Sequence, residues 1–258
     1  MIKNVFSFKG PVTRSSRSPK PLFGGDNSYI DDYFTGDIFA AFEEANTYEN
    51  AFMMFYAPWD ADSIRAVKIL EQVAKIFVDN DIYFAAVNCW EPKGNFGQIK
   101  ALKMLKFVFT NFFLLLGECN QEFNGEKGKT AKNPRLVQHQ YPIFVFYPNE
   151  KRGIQYHGPI SVHSLVEFLI LARNPYLHIG SKNDLSQLRA SHSGKALLGY
   201  FPNMTNSSIS RRAFRKFVDA SYQLLEQDPF LQNTGGIGVV TSPHLAISLQ
   251  LDISRPVR

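Results

Sequence analysis

The strongest constraint on this chain is a pair of apolar runs separated by one helix-length segment. Ala51 to Tyr56 is continuously apolar, as is most of Ile82 to Asn88. Runs of this length without alternation read as strands covered on both faces. Between them Ile64, Val67, Leu70, Val73, Ala74 and Phe77 recur at three- and four-residue spacing, predicting a helix over 62–78 with one buried stripe. Strand, helix, strand in so short a span dictates a parallel pair joined by a crossover.

The same logic extends in both directions. A short strand near 32–34 and a helix near 38–45 precede the pair. Further on, 143–147 and 152–156 read as a hairpin around Pro148-Asn149-Glu150, and Ser161 is placed to cap a helix reaching about Arg173. After Asn174-Pro175 the pattern restarts: strand 176–179, helix 184–190, strand 195–201, helix 210–227, strand 236–241 and a helix opening at Pro243. The expected class is α/β, a mixed central sheet flanked by helices, followed by a second and incomplete copy of it. The divisions are a disordered leader at 1–26, with order beginning near Tyr29, a first domain at 27–174 and a partial second domain at 175–258.

Charge bounds the function less than it promises. The formal net charge is +5, and Lys3, Lys9, Arg14, Arg17 and Lys20 precede the first acid, Asp26, so the leader alone supplies the excess. No basic patch interleaved with aromatics argues for nucleic acid. Neither a signal-peptide core nor an uncharged apolar stretch long enough to span a bilayer is evident. The six histidines lack metal-ligand spacing. Gly235-Gly236-x-Gly238 precedes a strand, whereas phosphate-binding glycine loops follow one. Ser63 has no histidine placed by any motif to activate it. No cofactor and no metal are expected.

Three further segments carry a resemblance. Phe55-Tyr56-Ala57-Pro58-Trp59 lies at a strand-to-helix junction; Tyr141-Pro142 immediately precedes the strand at Ile143; and Tyr156-His157-Gly158-Pro159 leads into a helix. In this order they resemble the thioredoxin domains of the protein disulfide isomerase family, over about 29–173, with a weaker likeness to a redox-silent domain beyond. The resemblance implies a thioredoxin-like fold and makes Pro142 the cis-proline facing the active site. The relatives that the chain most resembles are anchored in the endoplasmic reticulum membrane and are linked to folding or disposal of glycoproteins and membrane proteins. Client or partner proteins and a lumenal setting are implied accordingly, with membrane association only through an anchor outside this sequence.

Where the family carries Trp-Cys-Gly-x-Cys, this chain reads Trp59-Asp60-Ala61-Asp62-Ser63. Dithiol exchange needs a thiolate at the helix N-terminus and a second thiol one turn on, and neither sulfur is present. The buried Glu that disulfide isomerases keep just before the Phe-Tyr-Ala-Pro segment is matched by Met54. The expectation is therefore a module without catalytic residues, whose contact surface for clients is built from Trp59, Tyr141 and Pro142. Asp60 and Asp62 serve either as helix caps or as a polar rim to that surface. The alternative is a thiol-disulfide oxidoreductase whose active cysteines lie in a further domain.

The two cysteines, Cys89 and Cys119, enclose 29 residues. Relatives bridge the end of the third strand to the next helix across six, and deleting 95–117 restores that spacing, so 95–117 is read as an insertion. It is either an artefact of the gene structure or an amphipathic segment for a membrane or partner. The resemblance implies a Cys89–Cys119 disulfide; two reduced thiols are the other reading. Asn203-Met204-Thr205 and Asn206-Ser207-Ser208 are glycosylation sequons, making Asn203 and Asn206 candidate sites in a secretory compartment.

Overall fold

A computed structural model of the 258-residue chain describes residues 20–24, 28–79, 81–89, 141–148, 153–202 and 208–251. The first part is a five-stranded sheet. In chain order its elements are β1 (Asp31–Tyr33), α1 (Ile38–Ala45), β2 (Asn50–Tyr56), α2 (Ala61–Ile76), β3 (Ile82–Asn88), β4 (Ile143–Pro148), β5 (Ile154–Tyr156) and α3 (Val162–Arg173). The strands are arranged β1-β3-β2-β4-β5. β3 pairs in parallel with both β1 and β2, while β4 runs antiparallel to β2 and to β5. This is the mixed thioredoxin-like sheet, with helices on its two faces.

Both faces are dry, which explains the unbroken apolar runs. On one side Phe52, Met54 and Tyr56 of β2 pack with Leu70 and Val73 of α2 and with Leu165 and Phe168 of α3. On the other, Met53 and Phe55 pack with Ile38 and Ala41 of α1 and with Ala85 and Val145. Successive residues of β2 thus feed opposite cores, the alternation a pleated strand imposes. Phe52 stacks on Phe144 at 5.6 Å between ring centroids and 8° between planes, in the middle of the first core.

Two sequence expectations need correction here. The buried stripe of α2 does not run through Ile64, which is 51% exposed; the helix starts its inward face one residue earlier, at Ser63, and continues through Ala66, Leu70, Val73 and Ala74. The capped start of the helix sets its rotation, and the turn after β2 points Ser63 inward. Order also begins before Tyr29. Phe23 is 4% exposed within the first core, and the backbone N–H groups of Leu22 and Phe23 both donate to the Asp32 carboxylate. A leader read as disordered therefore holds at least one anchored segment at 20–24. The rest of that leader, the 95–117 segment and the β4–β5 turn lie outside the described residues.

The second part comprises β6 (Leu177–Ile179), α4 (Lys182–Ser191), β7 (Ala196–Tyr200), α5 (Ser208–Gln227), β8 (Gly236–Val240) and α6 (Pro243–Ser248). Its three strands are ordered β6-β8-β7 and all pair in parallel, repeating the β1-β3-β2 arrangement. Ser181 caps α4 in a capping box with Asp184, whose carboxylate also accepts from the backbone of Gly180. The turn into β8 requires Gly235: its φ is +95°, and a Cβ there would stand 2.6 Å from Cβ of Lys195. The two parts touch through α5 and the segment after it. Tyr222 and Phe230 pack against the first core, Tyr156 meets Phe230 edge-on, and the Gln155 amide donates to Glu226.

Candidate functional site

β2 delivers the chain to the site. Beyond Tyr56, Ala57 is fully buried, and the Asp60 amide closes a tight turn onto the Ala57 carbonyl at 3.0 Å. The turn throws Trp59 outward, where it is 56% exposed. Asp60 then caps α2, accepting from the Ser63 amide at 2.7 Å with an extended backbone. An aspartate suits this position because its carboxylate both satisfies an orphan N–H and opposes the positive end of the helix dipole. Asp62, in the first helical turn, points to solvent and pairs with Arg65.

Ser63 is chemically the oddest member of the site. It has no exposed surface, and its Oγ finds no hydrogen-bond partner among the described residues. The serine fills a small space against the core, and nothing in its surroundings is arranged to accept its proton. Met54, under the site on β2, is fully buried in the same apolar cluster.

β4 supplies the opposite wall. Phe55 is in register with Ile143, so the residues before Ile143 run past the Ala57–Trp59 turn. The Tyr141–Pro142 bond there is cis, and Pro142 is half-buried. Tyr141 corrects an expectation: at 6% exposure its side chain belongs to the core formed with Phe55, Ala57 and Val87. Packed among those residues, its ring leaves almost no surface for a partner. The exposed rim of the site is therefore Trp59 with Pro142 and the acidic start of α2.

The remaining sequence-marked residues are only partly in view. Cys89 lies just past β3, 2% exposed, with its amide donating to the Tyr56 carbonyl at 2.9 Å. Cys119, Asn203 and Asn206 lie outside the described residues. Among the described residues no group of three or more His, Cys, Asp or Glu is placed to hold a metal ion, and no helix is long and apolar enough to cross a membrane.

One polar cluster escaped the sequence reading. Asp32 accepts from the Tyr56 hydroxyl at 2.8 Å besides the Leu22 and Phe23 amides, and burial pushes its carboxyl above the usual value in spite of these donors. Asp32 and Met54 both pair with Ala86, from opposite sides of β3, so the half-buried carboxylate stands in the same row as Met54, two strands away. On the other face Tyr83 donates to Asp31 at 2.9 Å and lies 2.8 Å from the Tyr33 hydroxyl; its own hydroxyl is held protonated chiefly by burial. The only signal in the sequence was the Asp31-Asp32-Tyr33 run, too short to show a period.

Comparison with known proteins places this arrangement. No family profile matches the chain. Over 228 residues, 88% of its length, the chain is 25% identical to thioredoxin domain-containing protein 11 of Bos taurus. It is likewise 25% identical over 183 residues, 71% of its length, to the Homo sapiens protein of that name. The chain is thus similar to a thioredoxin-domain protein over most of its length. It spans 19% and 15% of the lengths of these two relatives. Among solved structures, human ERp44 in its form II matches with a TM-score of 0.45 and 17% identity, covering 88% of this chain and 48% of that one.

Proposed function

We propose that this thioredoxin-domain chain is a redox-inactive module that binds client or partner proteins during folding or quality control in the endoplasmic reticulum. The observation that carries the reading is the start of α2. The two positions where disulfide isomerases hold their reactive cysteines are occupied by Asp60, which caps the helix, and Ser63, which is buried without a hydrogen-bond partner among the described residues. Just before them Trp59 stands exposed, and the chain that runs past this turn carries the cis Tyr141–Pro142 bond. The first feature supports loss of thiol exchange, and the second supports a retained contact surface, since an exposed Trp is a frequent anchor of protein interfaces. The site keeps an exposed aromatic beside a capped helix start and lacks the two sulfurs.

The test pairs two measurements on the same chain. An insulin-reduction assay should give no turnover above buffer, and suppression of aggregation of a reduced, unfolded client should be present and should fall on Trp59→Ala. Turnover at the rate of a disulfide isomerase would overturn redox inactivity. Unchanged suppression by a well-folded Trp59→Ala variant would overturn the contact surface. The lumenal setting and the Cys89–Cys119 disulfide belong to the same proposal. A non-reduced peptide map of protein secreted from a eukaryotic host should recover a linked Cys89–Cys119 peptide and glycan at Asn203 or Asn206; alkylated cysteines and bare asparagines would count against a lumenal role.

A further inference from the structure

The second part of the molecule carries a groove that the Trp59 site does not use. It has a volume of about 740 Å³ and lies between the end of α3, strand β6 and the middle of α5. Its walls hold Tyr176, Phe214 and Tyr222, with Arg173 and Arg215 beside them and Asp219 as the single acid.

The charge along α5 gives this groove its character. Arg211, Arg212, Arg215 and Lys216 fall in the first nine residues of the helix, and no acid stands in its first turn. Helix electrostatics favours the reverse, with acids at the N-terminal end. Four cations gathered there raise the energy of the isolated helix, and no ion pair to them is seen among the described residues. All four are exposed. Arg211 lies one turn before Arg215 on the same side of the helix, continuing the groove's basic edge past its lining residues.

We propose that this groove binds an extended acidic peptide segment, with carboxylates on the Arg211–Arg215 edge and intervening apolar side chains against Tyr176, Phe214 and Tyr222. Spacing favours this occupant. Residues four apart on a helix are separated by about 6 Å along its axis, and alternate side chains of an extended strand by about 6.6 Å. Acids at every second position therefore meet successive turns of α5, while the groove is far larger than one small anion needs. The aromatic wall argues against a nucleic acid. Tyr176 already lies near-perpendicular to Phe214 at 5.6 Å and 81° and to His178 at 5.5 Å and 78°, so this ring is engaged within the protein and is less free to stack on bases. The site is independent of the Trp59 cleft, and either can fail without the other.

Fluorescence anisotropy of the full chain with a short labelled peptide alternating Glu with Leu and Tyr tests it. Binding should appear at low salt and weaken as salt screens it, and the peptide with every Glu replaced by Gln should not bind. Arg211→Glu combined with Arg215→Glu should weaken binding by about tenfold or more, while Lys68→Glu, an exposed charge reversal on α2, should change it less than about twofold. Thermal unfolding of each variant should begin no lower than the parent's, and acids at the start of α5 should if anything raise it. Absence of binding, equal binding of the Gln peptide, an equal effect of Lys68→Glu, or tighter binding of a single-stranded oligonucleotide of equal charge would each overturn the proposal.

Discussion

At the scale of single residues the site separates a useful carboxylate from a tolerated hydroxyl. Asp60 satisfies a helix N–H that nothing else reaches, so Asp60→Ala should lower stability by about 1 kcal/mol, whereas Asp62→Ala, removing an exposed pair, should cost only a few tenths. Ser63 should behave in the opposite sense. Its buried Oγ has been taken from water with no partner in return, so Ser63→Ala should leave the melting temperature unchanged or raise it. Chemical denaturation of the three variants checks the order; a strongly destabilised Ser63→Ala would mean the hydroxyl is bonded after all. Asp32 supplies a pH signature. Burial holds its folded carboxyl above the value of 3.8 that it has when exposed in the unfolded chain, so the folded form keeps the proton more tightly. The resulting stability is fully present below 3.8 and is lost as pH rises through the folded value. Asp32→Asn should flatten that part of the stability profile while keeping an acceptor for the Leu22 and Phe23 amides. A profile parallel to the parent's across the acid range would show that the carboxylate ionises as freely folded as unfolded.

At the scale of elements, the sequence marked strands better than it marked helix rotation. β2 and β3 were legible because burial on both faces leaves no polar interruption, and α3 because Ser161 caps it, whereas the start of α4 at Lys182, capped by Ser181, lies before the expected 184. The inward face of α2 was not legible to the residue. Ile64 fits a three-and-four spacing as well as Ser63 does, and hydrophobicity alone prefers the isoleucine. The cap at Asp60 fixes the first turn and so decides which of them turns inward. Leu70→Ala should therefore cost about 2–5 kcal/mol, as for a fully buried leucine, whereas Ile64→Ala should cost well under about 1 kcal/mol. Comparable losses in the two variants, read from urea midpoints at constant m-value, would restore Ile64 to the buried stripe. Polar clusters were the least legible feature. Asp32, Tyr56, Phe23 and Leu22 are brought together from three separated segments, and no local pattern encodes a meeting of that kind.

For the whole molecule the open question of mechanics is whether the two sheets fold as one body. The second part has only three strands, and β6 and β7 each lack a neighbour on one side among the described residues. A sheet of that size buries little apolar surface, and its edges are exposed. What it gains from the first part is specific: α5 and the segment after it lay Tyr222 and Phe230 on the first core, and Phe230 meets the ring of Tyr156, which itself packs on Phe168 at 4.8 Å. The dependence runs both ways, because Tyr156 belongs to the edge strand β5 and Phe230 covers its outer side. Phe230→Ala should then destabilise residues on both sides of the contact by about 2 kcal/mol, the loss expected for a partly buried aromatic. Native-state hydrogen exchange reads this directly. If the parts are one cooperative unit, protection of the β2 and β4 amides falls together with that of β8. If β8 alone loses protection while β2 and β4 keep theirs, the second part opens by itself, and its contact with the first is a docking surface, separate from the common core.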